Sequence, residues 1–185
     1  MRWIVCLLAL ACASSAFAES TIVVSVPKDL PAMKSFVVVR AGTPCPGADK
    51  HDAIVQVSQY KQTLKLPDAG PFDLWWVPAS GMPVLTAAKW KPEDGANEIN
   101  LNALLGLIEF RGDNQPRGSV VVTPQGDPGP GEKGHVIVQR ATEYRVDMVV
   151  PAGFYALWVV PDNGAKPQRV IDRVRVLPGK RERLD

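Results

Sequence analysis

Cysteine and histidine are scarce in this chain of 185 residues, which holds 3 of the first and 2 of the second. Cys6 and Cys12 lie in a leader-like start, so a mature chain keeps only Cys45 and can form no internal disulfide. Exported domains often lean on disulfides, so this fold must stand on its apolar core. A lone thiol in Thr43-Pro44-Cys45-Pro46-Gly47 reads as a loop residue or a small buried hydrophobe. Charge of one sign is missing as well. Lys+Arg 21 against Asp+Glu 19 leaves +2, which gives no electrostatic basis for nucleic-acid binding. The longest apolar run, Trp3 to Ala11, is about nine residues where roughly 20 are needed to span a bilayer, so no transmembrane segment is expected in the mature chain.

That run has another reading. Arg2 gives a positive start, Trp3 to Ala11 an apolar stretch, and Ala16-Phe17-Ala18 a small-x-small cleavage site before Glu19. Residues 1–18 are thus expected to be a signal peptide cut after Ala18, which makes the protein periplasmic or secreted. Leu10-Ala11-Cys12 loosely matches a lipoprotein box, the less favoured alternative, with Ala9 standing where Leu is usual.

What the chain does have is proline, glycine and a repeat. Its 17 Pro and 15 Gly predict many turns and few long helices. Shifted by 83 residues, 36–102 aligns with 119–185 without a gap. Val37-Val38-Val39 falls on Val120-Val121-Val122, Ile54-Val55-Gln56 on Ile137-Val138-Gln139, and Leu74-Trp75 on Leu157-Trp158. The expected organisation is domain 1 over 19–102 and domain 2 over 103–185. The linker Asn102-Ala103 is so short that a stiff tandem follows.

Short β-branched runs punctuated by Pro and Gly predict strands at Phe36–Arg40, Ala53–Val57, Gln62–Leu66, Phe72–Val77 and Glu98–Leu101. The second copy gives Ser119–Thr123, Val136–Gln139, Arg145–Val150, Phe154–Val160 and Val170–Leu177, and the same shift carried upstream sets Thr21–Val26 over Leu104–Glu109, both strand-like. The predicted fold is all-β, two tandem Ig-like or prealbumin-like antiparallel β-sandwiches. Residues 97–108 could pass for a helix on composition, but they would span the domain boundary. Side chains alternate along a strand, which puts Phe72, Leu74 and Trp76 on one core face and Tyr155, Leu157 and Val159 on the other.

The stretch Tyr144-Arg-Val-Asp-Met-Val-Val-Pro151-Ala-Gly153-Phe-Tyr155-Ala-Leu157-Trp-Val159 resembles the core of carboxypeptidase regulatory-like domains, which are prealbumin-type sandwiches. Domain 1 repeats it as Tyr60…Pro67-Asp-Ala-Gly70-Pro-Phe72-Asp-Leu74-Trp-Trp76. Gln59 and Glu143 stand where that family usually has Gly. The resemblance implies a non-catalytic spacer or binder in exported bacterial proteins. The transthyretin-like fold includes hydroxyisourate hydrolases, but their terminal Tyr-Arg-Gly-Ser is absent, since the chain ends Lys180-Arg-Glu-Arg-Leu-Asp185.

Alternation also points Trp75 and Trp158 away from the core, at matching positions. An outward Trp on a rigid sheet can stack on a sugar ring, so Trp75 and Trp158, with Asp73 beside the first, are the candidate ligand-binding residues. Cover by a loop, a neighbouring domain or a partner is the competing reading. His51 and His135 fall in matching loops near Asp49, Asp52 and Glu132, without the paired ligands a metal site needs, so no metal or other cofactor is expected. Gly126-Asp127-Pro-Gly-Pro-Gly-Glu132 lacks the alternating oxygen ligands of a calcium loop and reads as a mobile surface loop. No nucleophile motif, zinc-protease motif or phosphate loop occurs. The expectation is a non-enzymatic module of the cell envelope whose partner is an envelope or extracellular protein, the alternative being a polysaccharide-binding protein.

Overall fold

The computed structural model describes residues 21–25, 30–43, 53–57, 63–79 and 81–185. The expected leader with Cys6 and Cys12, the thiol of Cys45, His51 and Tyr60 lie outside the described residues. The fold is all-β, and no α-helix occurs among the described residues.

The first seven strands are β1 (Thr21–Ser25), β2 (Met33–Arg40), β3 (Val55–Val57), β4 (Thr63–Lys65), β5 (Phe72–Pro78), β6 (Val84–Trp90) and β7 (Ala96–Asn100). They form two sheets, ordered β4-β1-β7 and β3-β2-β5-β6. A 3₁₀ turn over Leu101–Ala103 follows, capped by Asn100, whose side chain accepts from the Asn102 N–H. The second seven are β8 (Leu105–Phe110), β9 (Gly118–Pro124), β10 (Gln139–Ala141), β11 (Asp147–Pro151), β12 (Gly153–Pro161), β13 (Gln168–Val176) and β14 (Arg181–Leu184). Their sheets, β11-β8-β14 and β10-β9-β12-β13, repeat the first order strand for strand.

Three details differ from the sequence expectation. The sheets are not purely antiparallel, because β1 runs parallel to β7 and β8 parallel to β14. Strands β6 and β14 were not expected, and Glu98–Leu101 is the counterpart of β14 rather than of β13. The repeat is also not gap-free. Val38 faces Leu74 and Val122 faces Leu157, so β2 maps on β9 with an offset of 122 − 38 = 84, against 157 − 74 = 83 for β5 on β12. A slip of one residue exchanges the two faces of a strand. The core residues Phe36 and Val38 therefore correspond to Val120 and Val122, and not to the positions the ungapped shift pairs with them.

The predicted core faces are where alternation puts them. Phe72, Leu74 and Trp76 are each 0% exposed in one cluster, and Tyr155, Leu157 and Val159 are buried in the other. The clusters meet at β8. Leu105 and Leu107 point into the first and Ile108 and Phe110 into the second, while on β11 Val149 joins the first and Met148 and Val150 the second. The sheet β11-β8-β14 is thus packed on both faces, at roughly 1.5–3 kcal/mol for each large side chain buried. The boundary expected at 102/103 would fall in the 3₁₀ turn, and the first apolar cluster extends past it. Gly106 sits between the two sets of side chains, where a Cβ would stand 2.5 Å from Val176 Cγ1 and 2.6 Å from the Leu177 carbonyl oxygen, so only glycine lets the β13–β14 turn lie this close.

Candidate functional site: an apolar groove between the halves

The two matching tryptophans have different surroundings. Trp158 is 8% exposed, and its Nε1 donates to Thr123 Oγ1 at 3.1 Å. Gly129 lies against its ring so closely that a Cβ there would be 2.4 Å from Cη2, and the Arg169 guanidinium stands 5.1 Å from the ring centroid. The cover is the Pro/Gly-rich loop that the sequence suggested was mobile. Asp127 folds it back, Oδ1 accepting from Gly129 N at 3.0 Å and Oδ2 from Val136 N at 2.8 Å. Trp158 is therefore packed under its own loop and offers no open ring face for a sugar.

Trp75 is half-buried, opposite Val37 on β2 and Leu85 on β6. Its Nε1 is buried with no hydrogen-bond partner among the described residues. It lies in a groove of about 570 Å³ whose other walls include Met82 and Leu85 from the first half and Val136, Val138 and Phe154 from the second. The loop that closes over Trp158 thus supplies, a few residues on, the wall facing Trp75. Among the described residues no charged side chain lines this groove.

Asp73, the polar companion expected at Trp75, is committed elsewhere. It is 7% exposed, Oδ2 accepting from Gly42 N at 2.8 Å and Oδ1 from Lys89 N at 2.8 Å. It fixes a turn and a bulge of β6 where Lys89 has φ 53. Half-buried His135 has Nδ1 2.7 Å from the Glu132 carbonyl oxygen, and no group of three metal-ligating side chains occurs among the described residues.

Two features of the groove were not foreseen. Gln139, 4% exposed, staples its two sides together. Its Oε1 accepts from Met82 N at 3.3 Å and from Arg140 N at 3.0 Å, and its Nε2 donates to Met82 O at 3.2 Å and Val149 O at 3.3 Å. The repeated Ile-Val-Gln was the sequence signal, although nothing local says that one copy reaches across. Phe154, which the sequence marks only as the start of a strand, is 42% exposed, with Arg173 and Arg175 guanidiniums 4.5 and 5.9 Å from its ring centroid. Beside it Tyr155 turns inward, its hydroxyl donating to Pro151 O at 2.7 Å, and burial pushes that hydroxyl up to about 12.

A second hollow between the halves, about 520 Å³, includes Trp76, Arg140 and Asp147. Two of its charged groups have partners, since Arg140 Nη2 donates to Ser119 Oγ at 2.9 Å and Asp147 pairs with Arg181 at 2.7 Å, whereas the buried Trp76 Nε1 has no hydrogen-bond partner among the described residues. The groove at Trp75 is the more apolar of the two and gathers more of the exposed hydrophobic side chains, which makes it the candidate site.

No family model and no curated protein matches this chain. Among solved structures it is similar to the Bacillus anthracis TIE protein at 12% identity and a TM-score of 0.31, over 90% of this chain and 33% of that one. The chain thus spans about a third of that protein's length, and so slight a likeness carries no argument. The class that the fold and groove define is an all-β protein with an apolar cleft between its repeated halves.

Proposed function

We propose that this chain is a non-enzymatic, exported bacterial protein made of two tandem prealbumin-like sandwiches, acting in the envelope by holding a protein partner in the groove at Trp75. The observation that carries the reading is a cluster. Of the five exposed large hydrophobic side chains among the described residues, Met82, Val136 and Phe154 line this one groove. Apolar side chains gathered in one place, with Met and aromatics prominent and no Asp or Glu among the described lining residues, have the composition of a protein interface. The doubly packed β8 sheet supports a stiff body that presents the groove at fixed width. The leader ending at Ala18 supports export, and the resemblance to carboxypeptidase regulatory-like domains supports a binding or spacing role.

The polysaccharide reading loses support from the same geometry, because sugar stacking needs an accessible ring beside polar groups, whereas Trp158 is covered and Trp75 is recessed among apolar walls. A benzophenone amino acid in place of Val136, which is 53% exposed, tests the choice. Irradiation of intact cells should give a discrete crosslinked protein band from this position and none from Lys166, outside the groove. Sedimentation of the purified protein with insoluble polysaccharide, lost in Trp75→Ala, and no crosslinked band would overturn the proposal.

A further inference from the structure

The described residues of the groove walls carry no charge, but two cationic side chains stand over Phe154 at its edge. Arg173 and Arg175 are exposed on β13, which is an edge strand, and both guanidiniums lie over the ring of Phe154. Neither forms an ion pair with a described residue. Their neighbours do: Arg169 pairs with Asp172 at 3.1 Å, Arg181 with Asp147 at 2.7 Å and Arg183 with Glu109 at 3.1 Å. Two like charges gathered on one ring repel each other, and a guanidinium lying over an aromatic ring keeps its planar N–H edge free for a carboxylate. The arrangement is an apolar slot with an uncompensated pair of forked donors at its end.

We infer that the groove takes an apolar anchor side chain flanked by carboxylates on a partner protein, the anchor lying against Trp75 and Leu85 and the carboxylates meeting Arg173 and Arg175. This rests on the reading of the groove as a protein-binding site. A single-chain anionic amphiphile would satisfy the same charges. It would leave Met82, Val136 and Phe154, 37%, 53% and 42% exposed, wet around a narrow chain, whereas the surface flanking an anchor residue covers them.

The probe is a random library of short displayed peptides, selected on the full mature protein. The expected consensus is Leu, Phe or Trp with Asp or Glu on at least one side. A synthetic consensus peptide should then lose at least tenfold in affinity for Arg173→Gln/Arg175→Gln, and no more than twofold for Lys166→Gln/Lys180→Gln, which removes the same charge elsewhere. Replacing the peptide's Asp by Asn should weaken wild type by a similar factor and leave the arginine variant unaffected, because the two changes break one interaction. High salt should weaken wild type more than the variant. An apolar consensus without acids would overturn the charge pairing and leave the protein-binding groove standing. No enrichment, or binding of dodecyl phosphate that Leu85→Gln abolishes without any peptide binding, would overturn both. Melting curves of each variant confirm that it is folded.

Discussion

Tyr155 shows how much one side chain on the core face must satisfy. Its ring fills the second apolar cluster, and its hydroxyl is held by the Pro151 carbonyl at the start of the same turn. Burial disfavours the phenolate, so the folded hydroxyl titrates at about 12 against roughly 10 in an unfolded chain. A group whose folded pKa is raised contributes stability that is complete below the unfolded value and is lost as pH rises through the folded one. Urea unfolding from pH 8 to 12 should therefore show wild type losing roughly 2 kcal/mol relative to Tyr155→Phe between pH 10 and 12. At pH 8 the variant should be less stable by about 1 kcal/mol for the missing hydrogen bond. Parallel pH profiles would mean that this hydroxyl is solvated. The tryptophans are legible only in part at this scale. Alternation says correctly that Trp75 and Trp158 leave the core face, but it says nothing about what then lies over them.

Elements decide that cover. The loop joining β9 to β10 is short on side chains and rich in Gly and Pro, which read as mobility. Its order comes instead from one carboxylate, Asp127, and from the close approach that Gly129 allows at φ +104. Gly129→Ala should cost about 2–4 kcal/mol, adding overpacking on the Trp158 ring to backbone strain. Gly131→Ala, at φ +89 with nothing within 4 Å of its Cβ, isolates the strain and should cost about 1 kcal/mol. Equal losses in chemical denaturation would show that the loop does not press on Trp158. The two strands that sequence reading missed fail for opposite reasons. In β6, Thr-Ala-Ala-Lys has no strong strand preference, and the strand forms because β5 offers it a neighbour. In β14, Arg-Glu-Arg-Leu reads as a charged tail, yet Arg183 finds Glu109 on the adjacent β8 and Arg181 reaches Asp147 on β11, one strand beyond. Pairing of this kind links distant segments, and local propensity does not register it.

For the whole molecule, the repeat suggests two units that could be cut apart at 102/103, and the packing argues against a clean cut. Leu105, Leu107 and Val149 belong to the second half of the chain but close the core of the first. Expressed alone, 103–185 would expose those three side chains and 19–102 would lose their cover, a deficit of roughly 5 kcal/mol in apolar burial. Either half should bind a hydrophobic dye and melt well below the full mature chain, which should unfold in one transition. Halves that each melt at the temperature of the whole would show that β8 is a passive connector.

What the sequence by itself determined is the period-two pattern and its repetition: an all-β chain, core faces on Phe72, Leu74, Trp76 and Tyr155, Leu157, Val159, and turns at Pro and Gly. These follow from interactions within a few residues, which the local order of side chains records. What only the tertiary structure decided is the difference between the two copies. Trp158 is sealed by its loop, Trp75 floors a groove, Gln139 reaches across to Met82, and β8 serves two cores at once. Each depends on which surface arrives from a distant part of the chain, and two near-identical strands carry no record of having met different neighbours.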